Sequence, residues 1–316
     1  MAELSDNYVF SVYESQPDIE LDSVSFFNSN KFIFSRSEEG SRILFYLIDH
    51  NRNLAVAKFS ILIIKDQAYS PWNAPYGSIE CNRDIGHESL GIFIDKILEW
   101  LNKSGISGLK IVHYPDFYNQ MISEIIRDCY VEKGIELIVS DRNQHLPVNT
   151  TIFASVISSD ERRRLNNCFK RGFSGEMGNF ARLRQAYELL VRARKRKGYR
   201  EAMPFVELER MFLLHPDHYL LFTTMDNDKI IAATISIRIN ADIMYNFYHA
   251  DHEDYLNFSP TVMSINFVYG YCQEYSIPFI DLGKSSIDGE INEGLYRFKR
   301  ELGAVDSHKK KFIWTK

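Results

Sequence analysis

The sequence predicts a mixed α/β fold, an α+β arrangement with mixed sheets, built from two lobes in tandem. Three observations carry this prediction. The chain of 316 residues is long enough for two domains that each bury their own core. Apolar runs typical of strands alternate with amphipathic helical patterns along the chain. Both halves also repeat one order of elements, in which strands are followed by a helix, a strand, a second helix and a last strand.

The N-terminal lobe is predicted to span residues 1–157. Its strands are predicted at 42–48, 54–64, 109–113 and 135–139, where aliphatic residues predominate. Its helices are predicted at 89–103 and 119–133, and the first of them places apolar side chains at helical spacing. A loop rich in proline, glycine and aromatic residues, 69–78, separates the first two strands from the helices.

A basic helix and linker are predicted at 158–178, with Ser159 as the helix N-cap and 172–178 as a flexible link. The C-terminal lobe, which is the candidate for catalysis, is predicted at 179–316. Its elements are helices at 180–197 and 205–214, strands at 218–225, 230–239 and 242–250, a helix at 260–275, a strand around Asp281, a helix around Phe298 and a strand at 310–314. Ser259 and Pro260 form a helix start, with a cap followed by proline.

The composition is that of an ordinary soluble globular protein, with 45% hydrophobic and 25% charged residues. We find no apolar run long enough to span a bilayer, and the segment Met1–Asp6 lacks the pattern of a signal peptide. The four cysteines are scattered, as expected of reduced thiols in a cytoplasmic protein. The histidine and acidic residues at 249–254 match no known ligand spacing, so no metal is expected.

Charge is distributed unevenly between the halves. Residues 1–150 contain 13 Lys and Arg against 21 Asp and Glu, whereas residues 151–316 contain 24 against 21. The positive charge of the second half is concentrated in two islands, at 162–171 and 192–200. Such islands suit a phosphate-bearing ligand such as a nucleotide, coenzyme A or tRNA, with Arg196 and Arg200 facing one phosphate. The alternative is a pair of solvated helix faces.

The stretch near the C-terminus is the most informative part of the chain. An apolar run ends on an acid, a glycine and hydroxyl groups in Pro278-Phe279-Ile280-Asp281-Leu282-Gly283-Lys284-Ser285-Ser286. A short amphipathic helix follows, carries Lys299 beside Phe298, and ends near Gly303. This pattern is typical of a strand that delivers polar groups to a site and a helix that places a cation over it.

The element order of the second half resembles that of the GNAT acyltransferase fold, and the local sequence is similar to Fem-type aminoacyl ligases and to CelD-like acetyltransferase domains. The matching motifs are Arg196-Lys197-Gly198, Lys229-Ile230-Ile231-Ala232-Ala233, Asn257-Phe258-Ser259-Pro260, Phe279-Ile280-Asp281-Leu282-Gly283-Lys284-Ser285, Phe298-Lys299 and Leu302-Gly303-Ala304. The resemblance covers residues 180–316. Over residues 30–155 only the element order is shared, which implies two GNAT-like lobes in tandem.

The resemblance implies transfer of an acyl or aminoacyl group from a thioester or aminoacyl-tRNA to an amine of a sugar-, peptide- or lipid-linked acceptor, in cell-envelope biosynthesis. Expected partners are a small-molecule or nucleotide-linked acceptor and, as donor, aminoacyl-tRNA, acyl-CoA or an acyl carrier protein. The lysine of the Phe-Lys pair in Fem-type ligases lies by the acceptor end of the aminoacyl-tRNA and assists transfer. That residue corresponds to Lys299 here. The oligomeric state is left open.

Each candidate site residue also has a structural interpretation. Lys299 could stabilise an oxyanion or leaving group, with Tyr296 on its face, or be a surface lysine. Asp281 could act as a base or orient Lys299, or cap the following turn with Ser285 or Ser286. Phe298, Tyr296 and Ser285 are further candidate substrate contacts. Lys284 is a phosphate contact or a surface residue, and Tyr248 and His249 are a proton relay and acceptor contact or part of a half-buried aromatic strand.

The loop before the helix at 260 bears on the cofactor. Ordinary acetyltransferases hold the coenzyme A pyrophosphate there with a glycine-rich loop, whereas His252–Pro260 contains no glycine and two acids. Ser259 and Thr261 are the candidate cofactor-binding residues. Two alternatives to the Fem-like ligase stay open: an acetyl-CoA enzyme with unusual pyrophosphate contacts, and a non-catalytic GNAT-scaffold module that binds a nucleotide-linked metabolite or nucleic acid.

Overall fold

The computed structural model describes residues 8–22, 24–36, 39–82, 85–178 and 180–316. The segment Met1–Asp6, in which we predict no signal peptide, lies outside them. In chain order the strands are β1 (Tyr8–Tyr13), β2 (Ser41–Asp49), β3 (Leu54–Ile64), β4 (Gln67–Ser70), β5 (Glu80–Cys81), β6 (Gly108–Val112), β7 (Glu136–Pro147), β8 (Ser174–Met177), β9 (Tyr219–Asp226), β10 (Lys229–Arg238), β11 (Ile243–Asp251), β12 (Phe279–Lys284), β13 (Ser286–Ile287), β14 (Glu290–Ile291) and β15 (Val305–Thr315).

The helices show the same alternation with strands that the sequence predicts. They are α1 (Asn30–Ser35), α2 (His87–Lys103), α3 (Gln120–Glu132), α4 (Phe153–Val156), α5 (Ser159–Lys170), α6 (Leu183–Arg196), α7 (Phe205–Leu214), α8 (Pro260–Glu274) and α9 (Glu293–Glu301). None of the described helices has the length and apolar character that a membrane span requires.

The chain divides into two compact units. Unit 1 contains Met1–Arg142, Ser286–Glu290 and Ser307–Lys316, and unit 2 contains Asn143–Ser285 and Ile291–Asp306. These units differ from the predicted lobes at 1–157 and 179–316, and the predicted linker at 158–178 lies inside unit 2. The reason is pairing between strands distant in sequence, which local patterns do not reveal: Lys311–Thr315 of β15 pair with β6, for example.

Unit 1 contains the strand order β1-β2-β3-β4-β6-β15, with β5 beside β3. Neighbours in this order are antiparallel except β4 and β6, which are parallel. Helix α2 forms because apolar residues recur on one side of it, and that side is buried: Leu90, Phe93, Ile94, Ile97 and Leu101. Gly105 follows the helix with a positive φ of 74°, which suits the residue that ends a helix.

Unit 2 contains the strand order β7-β12-β11-β10-β9-β8, in which only β11 and β12 are parallel. Its core lies between this sheet and helices α5 and α8. The buried residues at its centre include Ile231, Met244, Met263, Val268, Cys272 and Ile280. Helix α6 lies against β10 and β11. Burial of these aliphatic side chains supplies the main stabilisation of the unit.

The predicted mixed α/β fold class is confirmed, whereas three local predictions are wrong. Residues 174–177 of the predicted flexible link form β8, which pairs with β9. The basic helix is capped by Ser158, whose Oγ accepts the Glu161 N–H at 3.3 Å, and not by Ser159. The strand predicted at 135–139 continues to Pro147, and this extension belongs to the candidate site.

Candidate functional site

The end of β12 is an irregular strand terminus that frees backbone carbonyl groups. Asp281 pairs with His145 of β7 and Lys284 pairs with Asn143, so three steps on β12 match two on β7. Such a β-bulge bends a strand and leaves groups outside the ladder. Gly283 lies in this bulge with φ +75°, a conformation in which glycine is far less strained than other residues. The carbonyls of Gly283 and Lys284 then become available to other donors.

Asp281 holds the bulge in place. Its side chain is 2% exposed, and its Oδ1 accepts the Gly283 N–H at 2.8 Å and the Asn143 side-chain amide at 2.9 Å. A buried carboxylate is stable only when it is hydrogen-bonded in this way. Asp281 therefore caps the turn at the strand end, as in its structural interpretation, although through the Gly283 N–H and not through a serine.

Lys299 reaches this strand end from α9. The helix starts at Asn292, whose Oδ1 accepts the Leu295 N–H at 3.0 Å, and ends before Gly303. Only 4% of Lys299 is exposed. Its Nζ donates to the Gly283 carbonyl at 2.8 Å and to the Lys284 carbonyl at 2.9 Å. An ammonium has three N–H donors, and the third has no acceptor among the described residues.

Burial changes the charge state of Lys299. It lowers the pKa of the Lys299 ammonium to about 7, and the nearby Asp281 carboxylate opposes this shift. The ammonium and amine forms are therefore both well populated near neutral pH. A group of this kind can donate a proton and take one back, and it differs from the surface lysine of the alternative interpretation.

Strand β11 contains a bulge that changes which of its side chains share a face. Ile235 pairs with Tyr248 and Ser236 with Asn246, so Phe247 is an additional residue. The regular alternation of a strand would place Tyr245 and His249 on one face. Because directly opposite residues share a face, the register instead places Tyr248 with Tyr245, and His249 with Asn246.

Tyr248 and His249 consequently have separate environments. The Tyr248 hydroxyl accepts the Met203 N–H at 3.1 Å, and its ring lies 5.2 Å from the Arg194 guanidinium. Burial, with the positive charges of Lys197 and Lys299, lowers the pKa of His249 to about 4. His249 is therefore neutral at physiological pH and close enough to Lys299 to sense its charge.

Three predicted substrate contacts, Ser285, Tyr296 and Phe298, also make contacts within unit 2 that connect the segment after β12, helix α9 and strands β7 and β15. The Ser285 Oγ donates to the Gln144 side chain at 2.6 Å, and the Tyr296 hydroxyl donates to Asp306 at 2.9 Å. Phe298 packs against the core of unit 2. Gln144 also donates to the Tyr296 carbonyl at 3.4 Å. These contacts fix the helix that carries Lys299.

Arg196 and Arg200, the predicted phosphate contacts, have different surroundings. Arg196 donates to the Asp251 carboxylate at 2.7 Å and lies 3.4 Å from Glu253. Helix α6 ends at Arg196, so Arg200 is not on the next turn of the same helix, and its carbonyl accepts from Arg194 at 2.8 Å. The predicted contact of both arginines with one phosphate stays a prediction, and Arg196 would have to exchange its carboxylate partners for the phosphate.

The first basic island is also largely engaged within the protein. Arg162 donates to the Ala154 carbonyl at 2.6 Å, Arg163 pairs with Asp160 at 3.3 Å, and Arg164 pairs with Glu161. The Arg171 guanidinium stacks 5.0 Å from the Phe258 ring. Four arginines of this island therefore have partners within the protein, at helix α5 and the segments next to it.

The start of α8 contains the two predicted cofactor residues. Ser259 has φ 53° and makes no side-chain cap, and Pro260 follows it. Thr261 is 7% exposed, and its Oγ1 has no hydrogen-bond partner among the described residues. The preceding turn, Glu253–Phe258, exposes two acids, Glu253 and Asp254, which oppose an anionic ligand. The residues present fit a coenzyme A pyrophosphate poorly.

Sequence reasoning missed Asn143, Gln144 and His145. They lie on the second half of β7, and burial lowers the pKa of His145 while Asp281 and Asp306 oppose that shift. The only signal was a polar stretch directly before Leu146 and Pro147, which lacks the apolar alternation of a strand. Within the described residues, no cluster of three or more His, Cys, Asp or Glu side chains could hold a metal.

Three solved structures resemble the chain in fold. FemX matches with a TM-score of 0.69 over 94% of this chain and 93% of that chain, at 13% identity. The C-terminal domain of a putative lysylphosphatidylglycerol synthetase from Agrobacterium fabrum matches with a TM-score of 0.54 over 82% and 80%, at 9% identity. A tandem GNAT protein from the clavulanic acid biosynthesis pathway matches with a TM-score of 0.53 over 90% and 87%, at 9% identity.

Neither a protein-family model nor a curated protein sequence matches the chain. The likeness to solved structures therefore shows the fold: the chain shares the fold of FemX and of a tandem GNAT protein, as the sequence predicts. One fold can support many different reactions, so the activity depends on the residues of the site.

Proposed function

We propose that the protein is an N-acyltransferase that moves an acyl or aminoacyl group from a thioester or aminoacyl-tRNA to the amine of a sugar-, peptide- or lipid-linked acceptor. The observation that carries this proposal is Lys299. It is a buried lysine with one unengaged N–H, fixed at the bulged end of β12 and poised between charge states near neutral pH. The fold shared with FemX supports the same type of reaction.

The chemistry requires one group that both gives and takes a proton. The acceptor amine attacks the donor carbonyl, a C–N bond forms, and the C–O or C–S bond to the leaving group breaks. The Lys299 ammonium stabilises the developing negative charge and protonates the leaving oxygen or sulfur. The resulting amine then accepts the proton that the attacking nitrogen loses, so the protons balance and Lys299 returns to its starting state.

Between the donor classes, the site favours an aminoacyl ester over coenzyme A. The acids Glu253 and Asp254 disfavour a pyrophosphate at the start of α8. Three basic residues of the two islands, Lys170, Lys195 and Arg200, stay exposed and form no ion pair with a described carboxylate, so a nucleic acid could contact them. We place the reaction in the cytoplasm, where aminoacyl-tRNA, acyl-CoA and acyl carrier protein are made, and in cell-envelope biosynthesis.

Turnover with defined donors tests the proposal. The full-length protein is incubated with a panel of aminoacyl-tRNAs or with acetyl-CoA, together with amino-sugar, peptide and aminolipid acceptors, and N-acylated product is detected by mass spectrometry. We expect product with at least one aminoacyl-tRNA. Product with acetyl-CoA alone would assign the coenzyme A donor instead. Binding of charged tRNA without any product would favour the non-catalytic binding module.

Substitution of Lys299 connects the activity to the site. Lys299→Ala should lower kcat by at least tens-fold, since removal of one donor to a developing oxyanion costs about 100- to 1,000-fold. Arg297→Ala is the matched control, because Arg297 lies on the same helix and is exposed, where it pairs with Glu301 at 2.9 Å. Equal turnover in both variants and the parent protein would remove Lys299 from the mechanism.

A further inference from the structure

The two units place different side chains at one corresponding position. Tyr130 of α3 and Lys299 of α9 are each the third residue from the end of a helix that follows a parallel strand. The Tyr130 carbonyl accepts the Ile135 N–H at 2.8 Å, and the Lys299 carbonyl accepts the Ala304 N–H at 3.1 Å. A glycine with positive φ precedes both donors. Tyr130 is therefore the counterpart of Lys299 in unit 1.

The two parallel strand pairs end differently. In unit 2 the pairing of β11 with β12 stops at Tyr245 and Asp281, although both strands continue. No described segment then pairs with β12 on that side, and Lys299 itself holds the freed carbonyls. In unit 1 the pairing of β4 with β6 stops at Ser70 and Ile111. In unit 1, a later segment of the chain lies beside the end of β6 and occupies the gap that corresponds to the one left open beside β12 in unit 2.

The returning segment in unit 1 begins at Gly77. Gly77 forms a parallel bridge with His113, and its N–H donates to the Val112 carbonyl at 2.9 Å. Only glycine fits there, since an added Cβ would lie 2.6 Å from the Ser70 Oγ and 2.7 Å from the Pro71 nitrogen. The segment therefore continues the parallel pairing beyond Ile111, where the pairing between β4 and β6 ends.

A buried hydrogen-bond network fixes this segment. The Ser78 Oγ lies 2.7 Å from the His113 Nδ1 and 3.0 Å from the Tyr130 hydroxyl. The Ser78 N–H donates to the Ser70 Oγ at 3.0 Å, and the Ile79 N–H donates to the Tyr130 hydroxyl at 3.4 Å. Ser70, Ser78, His113 and Tyr130 are at most 1% exposed. Separation of this network would leave several buried polar groups unpaired, which is costly.

We infer that segment 77–81 is a built-in occupant of unit 1 and that it fills the strand gap corresponding to the one in which Lys299 lies in unit 2. The described part of the chain therefore has a single donor site, at Lys299. The single donor site rests on the proposed function. The filled gap does not depend on it, because the gap concerns only the packing of unit 1.

Hydrogen exchange of the full-length protein, without any ligand, tests the filled gap. We expect peptides that cover 76–82 to exchange as slowly as those of β2 and β3, because their N–H groups are released only by extensive unfolding. Tyr130→Phe should accelerate exchange of the 76–82 peptides about tenfold relative to β2, since it removes the hydroxyl that contacts Ser78 and Ile79. Tyr269→Phe, a buried tyrosine of unit 2, should not change these peptides.

Exchange of 76–82 in the parent protein at the rate of exposed loops would overturn the inference, because it would show that the gap opens readily. If exchange of the 76–82 peptides is not faster in Tyr130→Phe than in the parent protein, the Tyr130 hydroxyl does not hold this segment in place. Once a donor is known, kcat per folded molecule should be unchanged in Tyr130→Phe, and the donor should bind at one equivalent per chain. Two equivalents would contradict the single site, whereas absence of turnover would bear only on the proposed function.

Discussion

The carboxylate of Asp281 accepts the backbone N–H of Gly283, two residues further along the same strand, at 2.8 Å. This bond fixes the bulge whose carbonyls hold Lys299, so Asp281 acts on Lys299 through both geometry and charge. The two effects can be separated by substitution. Asparagine keeps an acceptor for Gly283 but removes the charge, whereas alanine removes both.

Asp281→Asn and Asp281→Ala should therefore differ in stability but share a change in pH dependence. Both remove the charge that raises the pKa of Lys299, so the loss of ammonium-dependent turnover at high pH should begin at lower pH than in the parent protein. Only the alanine variant should lose about 1–3 kcal/mol of unfolding free energy, since it leaves the buried Gly283 and Asn143 donors unpaired. Identical pH–rate profiles for all three proteins would contradict the electrostatic role.

Gly283→Ala tests whether the conformation of the bulge matters for activity. At φ +75° an alanine costs about 1–2 kcal/mol, although space is sufficient, with Tyr245 as the nearest group at 3.7 Å. Gly289 is the matched control, because it has φ +88° and open space around it. Denaturant unfolding should show similar losses for both alanine variants, while kcat should fall only for Gly283→Ala. An equal decrease in kcat for both would indicate a general stability effect.

The buried Lys299 should make stability depend on pH. Its pKa is about 7 in the folded protein and 10.5 at its ordinary value, so between these limits the unfolded chain binds more protons. Stability relative to a Lys299→Met variant should therefore rise as pH increases from about 7 to about 10, by up to about 1.4 kcal/mol per pH unit. Below pH 7 the difference between the two proteins should be constant. Urea unfolding at a series of pH values measures it, and a flat difference throughout would show that Lys299 stays fully charged.

Buried His113 and half-buried His249 should extend the same dependence to acidic pH, where stability also rises as pH increases. Burial lowers the pKa of His113 to about 3 and that of His249 to about 4. Because the unfolded histidines bind protons from about pH 6.5 downward, stability should fall as pH decreases from about 6.5 to 4. His249→Asn should reduce this slope by up to about 1.4 kcal/mol per pH unit. His50→Asn, at an exposed position, is the control for the substitution itself, and an unchanged slope in His249→Asn would show that His249 is protonated in the folded protein.

The features predicted correctly from sequence depend on local signals. The helix at 205–214 is found with the predicted bounds, since its apolar spacing and the preceding Pro204 are visible in the chain. The strand around Asp281 and the helix carrying Lys299 follow from a similarly local pattern. The role of Lys299 in catalysis stays a prediction, because burial and hydrogen bonding fix only its position.

The features that sequence reasoning missed depend on partners distant in the chain. Tyr248 and His249 lie on opposite faces of β11, and the bulge at Phe247, which is defined by the register with β10, decides which face each occupies. Asn143 and Gln144 become site residues because their part of β7 pairs with or contacts residues about 140 positions away. No periodicity within either segment encodes such pairings.

The division of the C-terminal strand has a consequence for the order of folding. Unit 1 requires Ser307–Lys316, since residues 311–315 pair with β6, yet its other main segment ends at Arg142. During synthesis, the earlier part of this unit must therefore wait, incompletely paired, until more than 160 further residues have left the ribosome. Cutting the gene after residue 157 would yield a fragment with an unsatisfied sheet edge, which is prone to aggregate.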